Sequence, residues 1–178
     1  MAGTDFPIIT TNRFILRQFV DQDVDHVFAG LSNPDVIKYY GVSYDSIEAT
    51  RKQMQFFSDL EQHGTGIWWA ICSVNNDTFL GAAGLNSLNK QHKKAELGFW
   101  LLPACWGSGI ISEVIPLICK YGFNQLELHR IEAIVETENI NSKRVLTRLN
   151  FQHEGTMKEC EIKNGNYISL DIYAKLKT

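Results

Sequence analysis

The chain of 178 residues contains no long hydrophobic run. Apolar stretches such as Phe99 to Leu102 and Val114 to Cys119 are far shorter than the roughly 20 residues that a helix needs to cross a bilayer. The segment after Met1 has no basic region followed by an apolar block, so no secretory signal peptide is expected. We therefore expect a cytoplasmic protein that has no membrane partner.

An excess of positive charge is also missing. The chain carries 17 basic and 20 acidic residues, which gives a formal net charge of −3. A nucleic-acid-binding surface needs a basic excess or a basic patch to neutralise phosphates, so direct binding of nucleic acid is not expected. With 44% hydrophobic and 21% charged residues, the composition is that of an ordinary globular protein.

Cysteines are few and scattered, at positions 72, 105, 119 and 160. No pair has C-x-x-C spacing, and no histidine stands near a pair at zinc-finger spacing. We therefore expect four reduced thiols and no metal site.

The elements alternate without an internal repeat, a linker or a low-complexity segment, which predicts one α+β domain over residues 1–178. Asp21 and Ser46 are each expected to cap a helix, and Asn141-Ser142 is expected to open another. Asn164-Gly165 predicts a tight hairpin near the end of the chain. Predicted strands include Arg13–Phe19, Ile67–Val74, Thr78–Leu85, Ala95–Leu102 and Arg130–Glu136.

A glycine-bearing turn follows the strand Ala95–Leu102 and precedes a predicted helix. Glycines let the backbone approach a ligand closely, and free N–H groups at a helix start point at negative charge, so this order of elements predicts an anion site. Gly107-Ser-Gly109 alone is a weak signal. It lacks the lysine of a P-loop, and Ser112 replaces the third glycine of a dinucleotide fingerprint.

The segment Pro103-Ala-Cys-Trp-Gly-Ser-Gly-Ile-Ile-Ser-Glu113 resembles motif A of the GCN5-related N-acetyltransferase (GNAT) superfamily. More narrowly, it resembles the RimJ/RimL-like branch, which acetylates the N-termini of ribosomal proteins. The resemblance covers nearly the whole chain, and the order of the matching segments makes it specific. Those segments are Thr11–Arg17, Ala95–Trp100, His129–Glu132, Asn139–Leu146 and Leu149–Gly155.

This resemblance implies a GNAT-like single domain with a mixed, mostly antiparallel central sheet, splayed at the cofactor strand and flanked by about four helices. It implies acetyl-CoA as cosubstrate. Backbone at Leu101 and Leu102 would pair with the pantetheine, Asn141 would hydrogen-bond the pantetheine or acetyl end, and Arg144 would approach the CoA phosphates. The N–H groups expected to cradle the pyrophosphate are those of Trp106, Gly107, Ser108, Gly109, Ile110, Ile111 and Ser112.

The chain departs from the family pattern at three positions. Ser108 replaces a common lysine and removes one charge that could face phosphate. Ile111 replaces a small residue, so the backbone approach is expected to be tighter or displaced. Pro116 lies in the following helix, where it removes one backbone donor and is expected to kink the helix.

Glu96 is the candidate general base, because it lies on the strand that leads into the turn and the family often has the base there. Its alternative role is a surface or salt-bridged carboxylate. Ser142 is a candidate donor to the leaving thiolate, with a helix N-cap as the equally weighted alternative. Cys105 is not expected to be a nucleophile, because direct transfer needs no covalent enzyme intermediate.

The acceptor implied by the resemblance is a primary amine, chiefly a protein or peptide N-terminus of the ribosomal-protein type. The alternatives are a small amine (an antibiotic, a polyamine or an amino acid) and a CoA-binding module without catalysis. A homodimer is a family-level expectation. Trp68 and Trp69 alternate on a strand, so one is expected in the core and the other is a candidate for an acceptor slot, with core packing as its alternative role.

Overall fold

A computed structural model describes residues 5–178. Its helices are α1 (Val24–Leu31), α2 (Pro34–Ile37), α3 (Ile47–His63), α4 (Ile110–Asn124) and α5 (Ile140–Arg148). Its strands are β1 (Ile9–Thr10), β2 (Phe14–Arg17), β3 (Ile67–Ser73), β4 (Phe79–Asn89), β5 (Lys94–Leu101), β6 (Arg130–Glu136), β7 (Gln152–Lys163) and β8 (Asn166–Leu176). Within these residues, no helix is both long and apolar enough to span a membrane.

The eight strands form one sheet in the order β1-β2-β3-β4-β5-β6-β8-β7. β5 and β6 pair in parallel, because α4 carries the chain back between them. Antiparallel pairs join β1 to β2, β2 to β3, β6 to β8 and β7 to β8. The predicted α+β class with a mixed, mostly antiparallel sheet is therefore confirmed.

The chain forms two compact units, one of residues 5–84 and 99–110 and one of residues 85–98 and 111–178. The prediction of a single domain over residues 1–178 stays a prediction.

Local signals account for several element ends in the first unit. The Ser46 hydroxyl accepts the Ala49 N–H at 3.2 Å and starts α3 as predicted, and Gly64 ends it with a left-handed φ of 63°. The predicted Asp21 cap is wrong. Asp21 lies in a 3₁₀ turn that precedes α1, and the Asp23 carboxylate accepts the Val20 N–H there at 2.9 Å.

The core of the first unit is aromatic. Trp100 packs with Phe79 at a ring distance of 5.9 Å, and Phe57 packs with Trp68 at 5.4 Å. Trp68 and Trp69 are both buried, which agrees with core packing as their role rather than an acceptor slot. The Trp69 indole N–H donates to the Pro7 carbonyl at 2.7 Å, which gives the second tryptophan a structural role.

The second unit is built around the apolar face of α4. Val114, Ile115 and Ile118 are fully buried, and the chain then returns through β6, whose bounds agree with the prediction. Asn164 and Gly165 form the predicted hairpin turn, with φ values of 51° and 80°. Positive φ at both turn residues is the type I′ geometry that matches strand twist, which explains the Asn-Gly pair.

The start of α5 differs from the prediction. Asn139, not Asn141-Ser142, caps this helix, and its side-chain oxygen accepts the Ser142 N–H at 3.1 Å. Three cap-competent residues, Asn139, Asn141 and Ser142, stand within four positions here, and Asn139 is the one whose side chain reaches a free N–H. Asn150 has a left-handed φ of 62°, as expected after this helix.

We predict that Gly30→Ala destabilises the protein, because an ideal Cβ at Gly30 would lie 2.2 Å from Trp100 Cζ3. Overpacking of this kind costs about 1–3 kcal/mol, and better helix propensity offsets up to about 1 kcal/mol of it. Urea unfolding measures the loss.

Gly41→Ala is the matched control, since a Cβ at Gly41 meets nothing within 4 Å. Equal stability of the two variants would contradict the close packing of Trp100 on α1.

Candidate active site

The glycine turn has the geometry that the sequence predicted. β5 ends at Leu101, Pro103–Cys105 makes a 3₁₀ turn, and α4 begins at Ile110. Gly107 and Gly109 have φ values of 73° and 77°, in the left-handed region that favours glycine. The two glycines therefore permit the reversal that turns the strand into the helix.

Three side chains donate hydrogen bonds to backbone carbonyls of this turn. The Trp106 indole N–H donates to the Leu101 carbonyl at 3.0 Å, and the Ser108 hydroxyl donates to the Cys105 carbonyl. Both Nη atoms of Arg13 donate to the Ser108 carbonyl at 3.3 Å. The turn is thus held through its carbonyl oxygens, and Ser108 shapes it although it brings no charge.

One amide assigned to the pyrophosphate and one assigned to the pantetheine already have partners. The Trp106 N–H donates to the Pro103 carbonyl at 3.1 Å, and the Leu102 N–H donates to the Leu80 carbonyl at 2.9 Å. In contrast, the first amides of α4 have no carbonyl four residues earlier in the helix to accept from them. The anion-binding capacity of this segment therefore begins at Gly107 and runs into the first turn of α4.

The departures from the family pattern have defined positions. The side chain of Ile111 is buried, so its bulk is directed into the protein interior. Pro116 lies inside α4, where it cannot donate to the Ser112 carbonyl. Cys105 is half-buried and burial raises its thiol pKa, which disfavours the reactive thiolate.

Glu96 lies on β5 directly opposite Glu132 of β6 in the parallel register. Among the described residues Glu96 forms no ion pair, and burial raises its pKa, with the negative charges of Glu132 and Glu161 raising it further. A half-buried carboxylate with a raised pKa holds a proton more readily than an ordinary glutamate, which suits a general base.

Glu132 differs from Glu96 because cations hold it. Lys94 Nζ lies 3.1 Å and Arg130 Nε 2.7 Å from the same Glu132 oxygen. Burial alone would raise the pKa of Glu132, but these hydrogen bonds outweigh it and leave that pKa below its usual value. Two opposed carboxylates thus have their pKa values moved apart, which is a pattern of acid–base sites.

The residues assigned from α5 lie on its first two turns. Asn141 and Arg144 are exposed and Ser142 is half-buried. The Ser142 amide is engaged by Asn139, so the alternative reading of Ser142 as the N-cap is wrong. Ile140, Lys143, Arg144, Thr147 and Arg148 line a shallow cleft of about 410 Å³ on this helix.

The buried carboxylate of Asp171 anchors α5 to β8. Lys143 Nζ lies 2.6 Å from one oxygen, while His153 and Thr156 contact the other. Burial raises the pKa of Asp171, but the hydrogen bonds from Lys143, Thr156 and His153 outweigh it and bring the pKa to about 2. Lys143 also donates to the Thr137 carbonyl at 3.1 Å, which fixes the loop that leads into α5.

Sequence reasoning missed one residue of this region. The sequence pattern predicts Arg13 only as the start of a strand, whereas its guanidinium reaches a carbonyl 95 positions later. No local pattern could have indicated this contact. Within residues 5–178, no group of three or more His, Cys, Asp and Glu side chains is arranged to hold a metal ion.

Residues 13–152 match the model of the acetyltransferase (GNAT) domain family. The chain belongs to the GNAT N-acetyltransferases. The matched range contains the glycine turn, Glu96 and the whole of α5. The family resemblance identified in the sequence is thereby confirmed.

Individual relatives agree with this assignment. The GNAT chain is 39% identical to the uncharacterized N-acetyltransferase YoaA of Bacillus subtilis, over 97% of this chain and 98% of that protein. It is 30% identical to the ribosomal-protein-serine acetyltransferase of Escherichia coli, over 74% of this chain and 72% of that one. A solved RimL ribosomal L7/L12 α-N-protein acetyltransferase, in complex with CoA, matches with 26% identity and a TM-score of 0.84, covering 96% and 98% of the two chains.

We predict that Asp171→Asn destabilises this GNAT protein at neutral pH. The lowered pKa of Asp171 corresponds to about 2 kcal/mol of folding free energy. Asp171 contributes this stability in full above the ordinary aspartate pKa, where the carboxyl is ionised in both the folded and the unfolded protein. The contribution is lost as the pH falls through the pKa of the folded state. The stability difference between wild type and variant should therefore shrink below about pH 4.

Urea unfolding from pH 7 to pH 2.5 tests this pH dependence. Asp25→Asn, at an exposed position of α1, is the control and should change stability by less than about 0.5 kcal/mol. A constant difference between Asp171→Asn and wild type across the pH range would contradict the charged network.

Proposed function

We propose that this GNAT enzyme transfers the acetyl group of acetyl-CoA to the α-amino group of a protein or peptide N-terminus of the ribosomal-protein type. The observation that carries the CoA part is the turn from Leu101 to Ser112, which is held by its carbonyls and begins a helix. The acceptor part is supported by the E. coli relative, whose name gives a ribosomal-protein serine as its substrate. An enzyme that acts on such an acceptor would be located in the cytoplasm.

The residues present fit a pyrophosphate. An ideal Cβ at Gly107 meets no described atom within 4 Å, so the backbone there is open to close approach. Helix-start amides with a glycine turn before them bind phosphates through N–H donors and the helix dipole. The amides from Gly107 to Ser112 would hold the pyrophosphate, and when bound the cosubstrate supplies an acetyl thioester to the site.

Further contacts follow from the family resemblance. The Leu101 carbonyl accepts from Trp106 and the Leu102 carbonyl accepts from Cys105. A carbonyl oxygen has two lone pairs, so these carbonyls would accept a pantetheine amide through the second. Asn141 would hydrogen-bond the pantetheine or acetyl end. Arg144 would approach the phosphates. A homodimer belongs to the same proposal and is tested by sedimentation.

The chemistry assigned to the protein is proton transfer. An amine attacks a thioester only in its neutral form, so Glu96 would accept the proton that the acceptor ammonium loses, directly or through water. The Ser142 hydroxyl would donate to the departing thiolate. The raised pKa of Glu96 supports the first role, because it gives the carboxylate a higher affinity for that proton.

We expect Glu96→Gln to lower kcat by about 10²–10⁴-fold and to remove the acid limb of the pH–rate profile. Glu132→Gln should keep that limb and move it to lower pH, because it removes a negative charge that raises the pKa of Glu96. Initial rates of CoA release between pH 5 and pH 9 measure both effects.

Glu48→Gln is the control, since the Glu48 side chain is 89% exposed. If Glu96→Gln acetylates with an unchanged rate and pH profile, Glu96 is not the base.

Acceptor identity is tested by a screen that reads CoA thiol release with N-terminal peptides, polyamines, amino acids and aminoglycosides. We expect peptides that begin with serine or another small residue to react fastest. Turnover confined to small amines would replace the peptide acceptor by the small-molecule alternative. Binding of acetyl-CoA in calorimetry without turnover of any amine would favour the binding module, and absence of binding would refute the proposal.

A further inference from the structure

We propose that Arg13 is a positioning residue for CoA binding: its guanidinium holds the Ser108 carbonyl on one side of the glycine turn, so that the Gly109 amide faces the other side. The proposal rests on the proposed function, in which the amides of this turn bind the pyrophosphate. Arg13 lies in β2's entry segment, far in sequence from every residue that the family resemblance assigns to the cosubstrate.

Arg13 contacts the Ser108 carbonyl through both terminal nitrogens of its guanidinium. Nη1 and Nη2 of Arg13 each lie 3.3 Å from the Ser108 oxygen, and Nη2 also lies 3.8 Å from the position of a Cβ on Gly109. The guanidinium is therefore placed against the Ser108–Gly109 peptide. A fork of two donors on one oxygen restrains the direction of that carbonyl more tightly than a single donor does.

Because the peptide group is planar, this contact also fixes the direction of the Gly109 N–H. No cis peptide bond occurs among the described residues, so the peptide between Ser108 and Gly109 is trans. In a trans peptide, the C=O and the following N–H point in opposite directions in one plane. When Arg13 holds the Ser108 C=O, the Gly109 N–H must point away from Arg13.

Glycine makes such a restraint necessary. This peptide joins Ser108 to Gly109, and Gly107 precedes Ser108; both glycines have positive φ. Glycine populates many backbone conformations, so a short segment with glycine on both sides of Ser108 can leave its binding orientation at little steric cost. An external hydrogen bond removes that freedom before the ligand arrives, which lowers the entropic cost of binding.

The base of the Arg13 side chain is itself well held. Its backbone N–H donates to the Thr11 hydroxyl at 3.0 Å, and its carbonyl accepts the Val74 N–H at 2.9 Å. The guanidinium carbon lies 4.5 Å from the centroid of the buried Phe14 ring. These contacts place an exposed arginine where it can hold the turn.

The experiment compares wild type, Arg13→Ala, Arg13→Gln and the control Arg51→Ala, whose arginine is 59% exposed on α3. Calorimetry measures the Kd for CoA. Kinetics compare acetyl-CoA with acetyl-pantetheine, a donor without the pyrophosphate, and thermal unfolding checks that each variant is folded.

We expect Arg13→Ala to weaken CoA binding about tenfold, the size expected from losing a charged hydrogen-bond donor, with kcat/KM for acetyl-pantetheine unchanged. Arg13→Gln should recover most of the affinity, because its amide can still donate to the Ser108 carbonyl. Arg51→Ala should match wild type.

Three results would overturn the proposal while leaving the proposed function intact. They are an unchanged Kd in Arg13→Ala, an equal loss with both acyl donors, and a loss in Arg13→Gln as large as in Arg13→Ala. The last would mean that the charge itself contacts phosphate. If wild type binds no CoA, the proposed function fails first, and the inference fails with it.

Discussion

The backbone of the glycine turn is held by side chains that donate to its carbonyl oxygens. Trp106, Ser108 and Arg13 each contact a different carbonyl between Leu101 and Ser108. In a trans peptide the C=O and the following N–H point in opposite directions, so a side chain that holds one carbonyl also orients the amide that follows it. Under the proposed function, anion binding by this segment would depend on that constraint, since a glycine-rich turn without it would sample many orientations.

Two carboxylates in the second unit have pKa values that shift in opposite directions, because their neighbouring groups differ. Asp171 is buried but surrounded by donors, so its pKa falls and the group stabilises the fold. Glu96 is half-buried beside like charges, so its pKa rises and the group becomes suited to accept a proton. Desolvation acts on both, and the neighbouring charges decide the direction.

Elements with strong local signals were predictable from the sequence. The β6 bounds, the Asn164-Gly165 hairpin and the Ser46 cap were all confirmed, because each depends on side-chain periodicity, backbone φ or a single nearby hydrogen bond. The cap at Asp21 was wrong, since several polar residues near that helix start could serve and the Asp23 carboxylate is the one that accepts the Val20 N–H. The pairing of Trp69 with Pro7 was likewise beyond local reasoning.

By itself, the sequence determined the α+β class, the position of the glycine turn and membership of the GNAT family, because these follow from local patterns and their order along the chain. Only the tertiary structure decided that Arg13 meets Ser108, that Glu132 opposes Glu96 and that Trp106 closes on Leu101. Contacts such as the first two join residues far apart in sequence. Their geometry depends on strand register and chain reversal, which no short segment of sequence encodes.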